Sequence, residues 1–144
     1  MKLKSLLLIL CFSVVLFGCK KDESPEDRLA DAKSQIIGTW AVQSTTITYY
    51  DASGKVIDTD NSDSNKGETF QFINSTSLKA SGSSDDTYAY NMTNVNNKIM
   101  LNVANQSFEV VFNGSSTMTW TVEEMDNGGT DYAKAVTVIQ FKKI

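Results

Sequence analysis

From Gly38 onward, apolar side chains recur at every second position, and this period governs what the chain can fold into. Phe70 and Phe72, Tyr88 with Tyr90 and Met92, Ile99 with Leu101 and Val103, Phe108 with Val110 and Phe112, and Met118 with Trp120 and Val122 each alternate with mainly polar neighbours. Successive side chains of a strand point to opposite faces, so each set marks one buried strand face. Between the sets lie turn-rich pieces: Asp51 to Lys55, Asn74-Ser75, Ser81 to Asp85, Asn96-Asn97, Asn113-Gly114 and Asp126 to Gly129. Asn113-Gly114 is expected to form a two-residue hairpin turn, because such a turn needs positive φ at both central positions.

The spacing predicts strands at residues 39–50, 67–73, 76–81, 86–93, 98–103, 106–113, 116–125 and 132–143, with a further short one near Val56-Ile57. Strands joined by short turns make an antiparallel meander, and eight of them suffice to close a barrel and remove exposed edges. The lone proline, Pro25, falls outside the sheet, as closure requires. The expected fold is all-β: an antiparallel eight-stranded up-and-down β-barrel. A short helix precedes it, with Ser24 as N-cap, Pro25 at the first helical position, acids in the first turn, Leu29, Ala32 and Ile36 on one face, and Gly38 as the stop.

Residues 1–18, MKLKSLLLILCFSVVLFG, begin with Lys2 and Lys4 and continue into an apolar run from Leu6 to Phe17. Twelve helical residues reach roughly 18 Å, short of the roughly 30 Å hydrocarbon core, so the run is expected to be a signal peptide and not a span. Its end, Leu16-Phe17-Gly18-Cys19, resembles the lipobox of bacterial lipoproteins. That resemblance implies a diacylglyceryl thioether on Cys19 and membrane attachment through it. It divides the chain into a signal at 1–18, a lipidated tether at 19–24 and a folded domain at 25–144. Lys20 stands where an aspartate would signal inner-membrane retention, which implies the outer membrane, and the charged residues after Cys19 resemble a surface-export signal. Cys11 would leave with the signal, so the mature domain would have neither a free thiol nor a disulfide.

Charge and composition narrow the function. Residues 19–144 hold 11 basic against 17 acidic side chains, a balance that argues against nucleic acid and anionic headgroups as partners. The chain has no histidine, which removes Ser-His-Asp and Cys-His hydrolases and histidine-bound zinc. Glu123-Glu124 and Asp85-Asp86 are adjacent on strands and point to opposite faces, so neither forms an acid/base pair across one substrate. In DTDNSDSNKG, counting from Asp58, the sixth and twelfth places of a calcium loop fall on Asp63 and Thr69 instead of glycine and glutamate, and the stretch is expected to be a solvated loop. No enzyme, metal or cofactor is expected.

A short helix leading into Gly38-Thr39-Trp40 at the head of the first strand resembles the lipocalins, and the layout resembles the compact lipocalin-like domains of many bacterial lipoproteins. The resemblance implies a barrel that binds a small apolar molecule, with Trp40 packed across one end. The arginine that family stacks over its tryptophan from the last strand is absent; that strand offers Lys134, Lys142 and Lys143. Trp40, Phe70, Phe72, Tyr88, Tyr90, Phe108, Phe112 and Trp120 are the expected ligand-lining residues, alongside Met92, Met118 and Phe141 on the inward face. The alternative is that these rings fill the barrel, because an eight-stranded barrel is just wide enough to be filled by side chains or to hold one small ligand. In that case the protein is an interaction or structural module, with the polar loop 58–67 as the surface that meets a partner protein.

Overall fold

The computed structural model describes residues 24–81, 86–126, 128 and 131–144. The expected signal peptide and lipobox, with Cys19, lie outside them. Helix α1 (Pro25–Ile36) begins as the sequence predicts: the Ser24 hydroxyl accepts from the Asp27 amide at 3.1 Å, and Glu26 and Asp27 sit in the first turn. These acids and Lys33 in the last turn complement the helix dipole. Ala32 and Ile36 are its buried face, and Gly38, at φ +124°, turns the chain into the sheet.

Among the described residues nine antiparallel strands follow: β1 (Gly38–Tyr50), β2 (Val56–Ser62), β3 (Thr69–Phe72), β4 (Ser77–Ser81), β5 (Thr87–Val95), β6 (Lys98–Val103), β7 (Gln106–Phe112), β8 (Thr117–Met125) and β9 (Lys134–Lys143). Eight of them, β1 and β3 through β9, form a closed up-and-down barrel, sealed by pairing of β1 with β9 from Trp40↔Lys143 to Tyr50↔Lys134. The ninth, β2, pairs with the far half of β1, Thr45↔Ser62 to Tyr50↔Val56, while β3 takes the near half, Gly38↔Phe72 to Ala41↔Thr69. One long strand thus carries two short ones end to end along the same side.

Two expectations are corrected. Residues 58–67 are not one loop: the strand near Val56-Ile57 runs on to Ser62. It is almost wholly solvent-exposed and so has no buried face to give it a period. Asn113-Gly114 is not a two-residue turn, because only Gly114 has positive φ (+74°) and the connection spans Asn113–Ser116, with the Asn113 amide donating to the Thr117 carbonyl. Among the described residues, the two-residue turns with both φ positive are Asn96-Asn97 (51° and 64°) and Ala104-Asn105 (50° and 64°). They join Val95↔Lys98 and Val103↔Gln106.

The core is one cluster inside the barrel, running from Ala32 and Ile36 under the helix to Leu101, Phe108 and Val110. Trp40, Phe72, Phe141, Ile36, Leu78, Leu101 and Met118 are fully buried. Each such side chain contributes about 1.5–3 kcal/mol by leaving water.

Candidate functional site

One end of the barrel is closed by the helix. The Trp40 Nε1 donates to the Ile36 carbonyl at 2.7 Å, which ties the first strand to the last turn of α1. Lys143, at the end of β9, places its Nζ 5.1 Å from the centre of the Trp40 ring and donates to the Gln35 carbonyl at 3.0 Å. A lysine of the last strand therefore sits over the Trp40 ring and ties it to the helix. Arg28 and Asn94 add bonds from helix to sheet, to the Asn97 and Pro25 carbonyls.

The interior is organised around Trp120. Its ring lies 4.5 Å from Phe141, 5.3 Å from Phe70, 5.4 Å from Phe108 and 6.0 Å from Phe72, centroid to centroid. Phe72 in turn meets Tyr90 edge-on at 5.0 Å. Tilted and edge-to-face contacts at these separations are the favoured arrangements of aromatic quadrupoles, and they place rings where a ligand would otherwise sit. Among the described residues, the depressions of 390–520 Å³ at β5–β7, at the helix, at β1–β2 and at β8–β9 are not lined by Trp120, Phe70, Phe72 or Phe108.

The eight expected ligand-lining residues fall into three places. Phe70, Phe72, Tyr90, Phe108 and Trp120 are linked by these ring contacts inside the barrel. Trp40 and Phe112 meet at 6.1 Å beneath the helix, Phe112 only half-buried. Tyr88 is a correction: it shares the row of Leu78 and Phe72, yet it is 37 % exposed, because β5 has only just begun at the rim. Its hydroxyl donates to Asp86 Oδ2 at 3.2 Å, and that bond and the nearby negative charge hold its ionisation above the ordinary 10.0. Tyr90 is likewise raised, by burial, and its hydroxyl is already committed to the Asn74 carbonyl at 2.7 Å.

Among the described residues, two buried side-chain polar atoms have no partner, Trp120 Nε1 and Thr45 Oγ1. They belong to one cross-strand row, Trp120↔Ile139↔Thr45, on the inward face. Leaving a buried donor unpaired costs about 1–3 kcal/mol, so this row is the one polar weakness of the packed interior among the described residues.

A second region overlaps the stretch 58–67 that the sequence offers as a partner-facing surface, and brings Tyr49, Asp131 and Tyr132 beside it. Pairing of β7 with β8 ends at Glu109↔Thr121, so the far parts of β8, β9, β1 and β2 continue past the short strands as a four-stranded sheet. On its inner face Tyr49 is opposite Asp58 and Ile47 opposite Asp60. The Tyr49 and Tyr132 rings lie 5.0 Å apart, and with Asp58, Asp60 and Asp131 they line a depression of about 390 Å³. No signal in the sequence joins Tyr49, Asp131 and Tyr132 to Asp58 and Asp60, because β2 buries neither face and so carries no apolar period.

Compared with known proteins, the chain matches no family model, no curated protein and no solved structure. What stands is the class the fold defines, a closed antiparallel barrel with a helical plug and one supernumerary edge strand.

Proposed function

We propose that the protein is a non-enzymatic lipoprotein, tethered to the outer membrane through Cys19, whose filled barrel acts as an interaction module for a partner protein. The packing of four rings around Trp120 carries the filled-core part of this reading. The anchor rests on the Leu16-Phe17-Gly18-Cys19 lipobox and the basic start of the signal. Two or more acyl chains, at about 0.8 kcal/mol per buried CH₂, hold a domain of this size firmly at a bilayer. Cys19→Ser is expected to move the protein from the membrane to the soluble fraction; retention in the membrane would refute the anchor. Protease digestion of intact cells reads whether the domain faces outward.

The second reading keeps the small apolar ligand, held inside the barrel among Phe70, Phe72, Tyr90, Phe108 and Trp120. The unpaired Trp120 Nε1 and Thr45 Oγ1 favour it, since together they would orient a polar group on an otherwise apolar guest. Such a ligand must displace rings from their present contacts. A small-molecule adduct in a native mass spectrum would decide for this reading.

A further inference from the structure

We infer that the open edge of β2 accepts an extended, basic segment of a partner protein as a further strand. The inference rests on the interaction-module reading and names the surface and the chemistry of the partner. Among the described residues β2 pairs with β1 alone, so the backbone N–H and C=O groups of alternate residues on its other side face solvent. Such a row is a template for another strand, and natural barrels avoid it by closure. Here closure is complete without β2: β1 already reaches β9 on one side and β3 on the other. The strand is therefore displayed and not consumed by the fold.

Charge selects the occupant. Residues 51–68 carry five acidic side chains against two lysines. Asp58 and Asp60 lie on one face of β2, and neither is ion-paired among the described residues. Asp131 adds a third carboxylate across the depression, beside the Tyr49 and Tyr132 rings. An added strand would project every second side chain over this acidic, aromatic face, where lysine or arginine gains from both carboxylate and ring. The carboxylates are spread along the strand and do not converge on one point as a metal site requires. A second copy of the chain fits poorly, because antiparallel pairing of β2 centred on Thr59 sets Asp58 against Asp60 of the copy, and like charges directly opposite destabilise a sheet.

The test uses the full chain in detergent and a capped peptide as long as β2 that alternates lysine with valine. Hydrogen exchange is followed residue by residue. The peptide is expected to slow exchange of the solvent-facing amides of β2, and more weakly so as salt is raised. Its glutamate counterpart is expected to leave them unchanged. Asp58→Asn with Asp60→Asn, both on the exposed strand, should weaken binding about fivefold without altering the far-ultraviolet spectrum, from two exposed ion pairs. Binding without protection of β2, protection by both peptides alike, a β2-mediated dimer of the protein alone, or no binding would each overturn the inference. None of these outcomes touches the filled core, which is read separately by mass.

Discussion

The Trp120 indole and the Phe141 ring lie 4.5 Å apart, tilted by 46°, at the centre of the barrel. Each is also in contact with Phe70, so three rings from β8, β9 and β3 lock facing walls together. Trp120→Ala is expected to lower stability by about 3–5 kcal/mol, the range for emptying a large aromatic site in a core. Trp120→Phe should cost clearly less, because the lost Nε1 had no partner to leave behind. Urea unfolding of the two variants checks the order.

Gly38 holds φ at +124°, and a Cβ there would lie 2.9 Å from Lys143 Cε. Gly38→Ala therefore strains the backbone and pushes Lys143 off the Trp40 ring. The expected loss exceeds about 1 kcal/mol, more than the entropic gain that alanine brings in the unfolded chain. Lys143→Met, which keeps the apolar stem and removes the charge, should lose about 1 kcal/mol through the Gln35 bond and the ring contact.

Ala104 occupies the first place of a two-residue turn at φ +50°, a conformation that penalises a Cβ. Ala104→Gly is expected to raise stability by about 0.5–1 kcal/mol, since relief of the left-handed strain outweighs the extra entropy of glycine. A rise in the thermal midpoint checks it.

Asp51 closes the turn before β2. Its Oδ1 accepts from the Ser53 hydroxyl at 2.6 Å, the Ser53 amide at 2.9 Å and the Lys55 amide at 3.0 Å. These bonds, the Ser53 hydroxyl foremost, hold its carboxyl below the ordinary 3.8. A depressed carboxylate stabilises the fold fully above its unfolded value and loses that contribution as pH falls through the folded one. The turn should therefore loosen below pH 3.8 and not above it. Carbon-detected titration of Asp51 reads the midpoint, and a value at or above 3.8 would contradict the geometry.

Much of this was legible because burial writes a period into sequence. The helix start at Ser24-Pro25 and the inward rows through Tyr90, Leu101, Phe108 and Trp120 could be read directly, since each residue serves a local cap or one buried face. Of strand β2 only the start at Val56-Ile57 could be read, because VIDTDNS buries neither face and, among the described residues, pairs only with β1. Lys143 over Trp40 was hidden for a different reason: three lysines on the last strand look alike until register sets one opposite Trp40. Tyr88 shows the limit of alternation, which assigns a face but not a depth along the barrel. Alternation also assigns rings to the inside without saying whether they fill it; the ring separations around Trp120 are what support the filled interior.

The most direct test of the account is a native mass spectrum of the membrane-extracted protein after incubation with a lipid extract. The filled barrel, with the acyl groups proposed for Cys19, predicts the mass of the acylated chain and nothing further. A reproducible small-molecule adduct that is shed on collisional activation, and absent from Trp120→Ala or Phe72→Ala variants that remain folded, would contradict it and restore the hollow barrel.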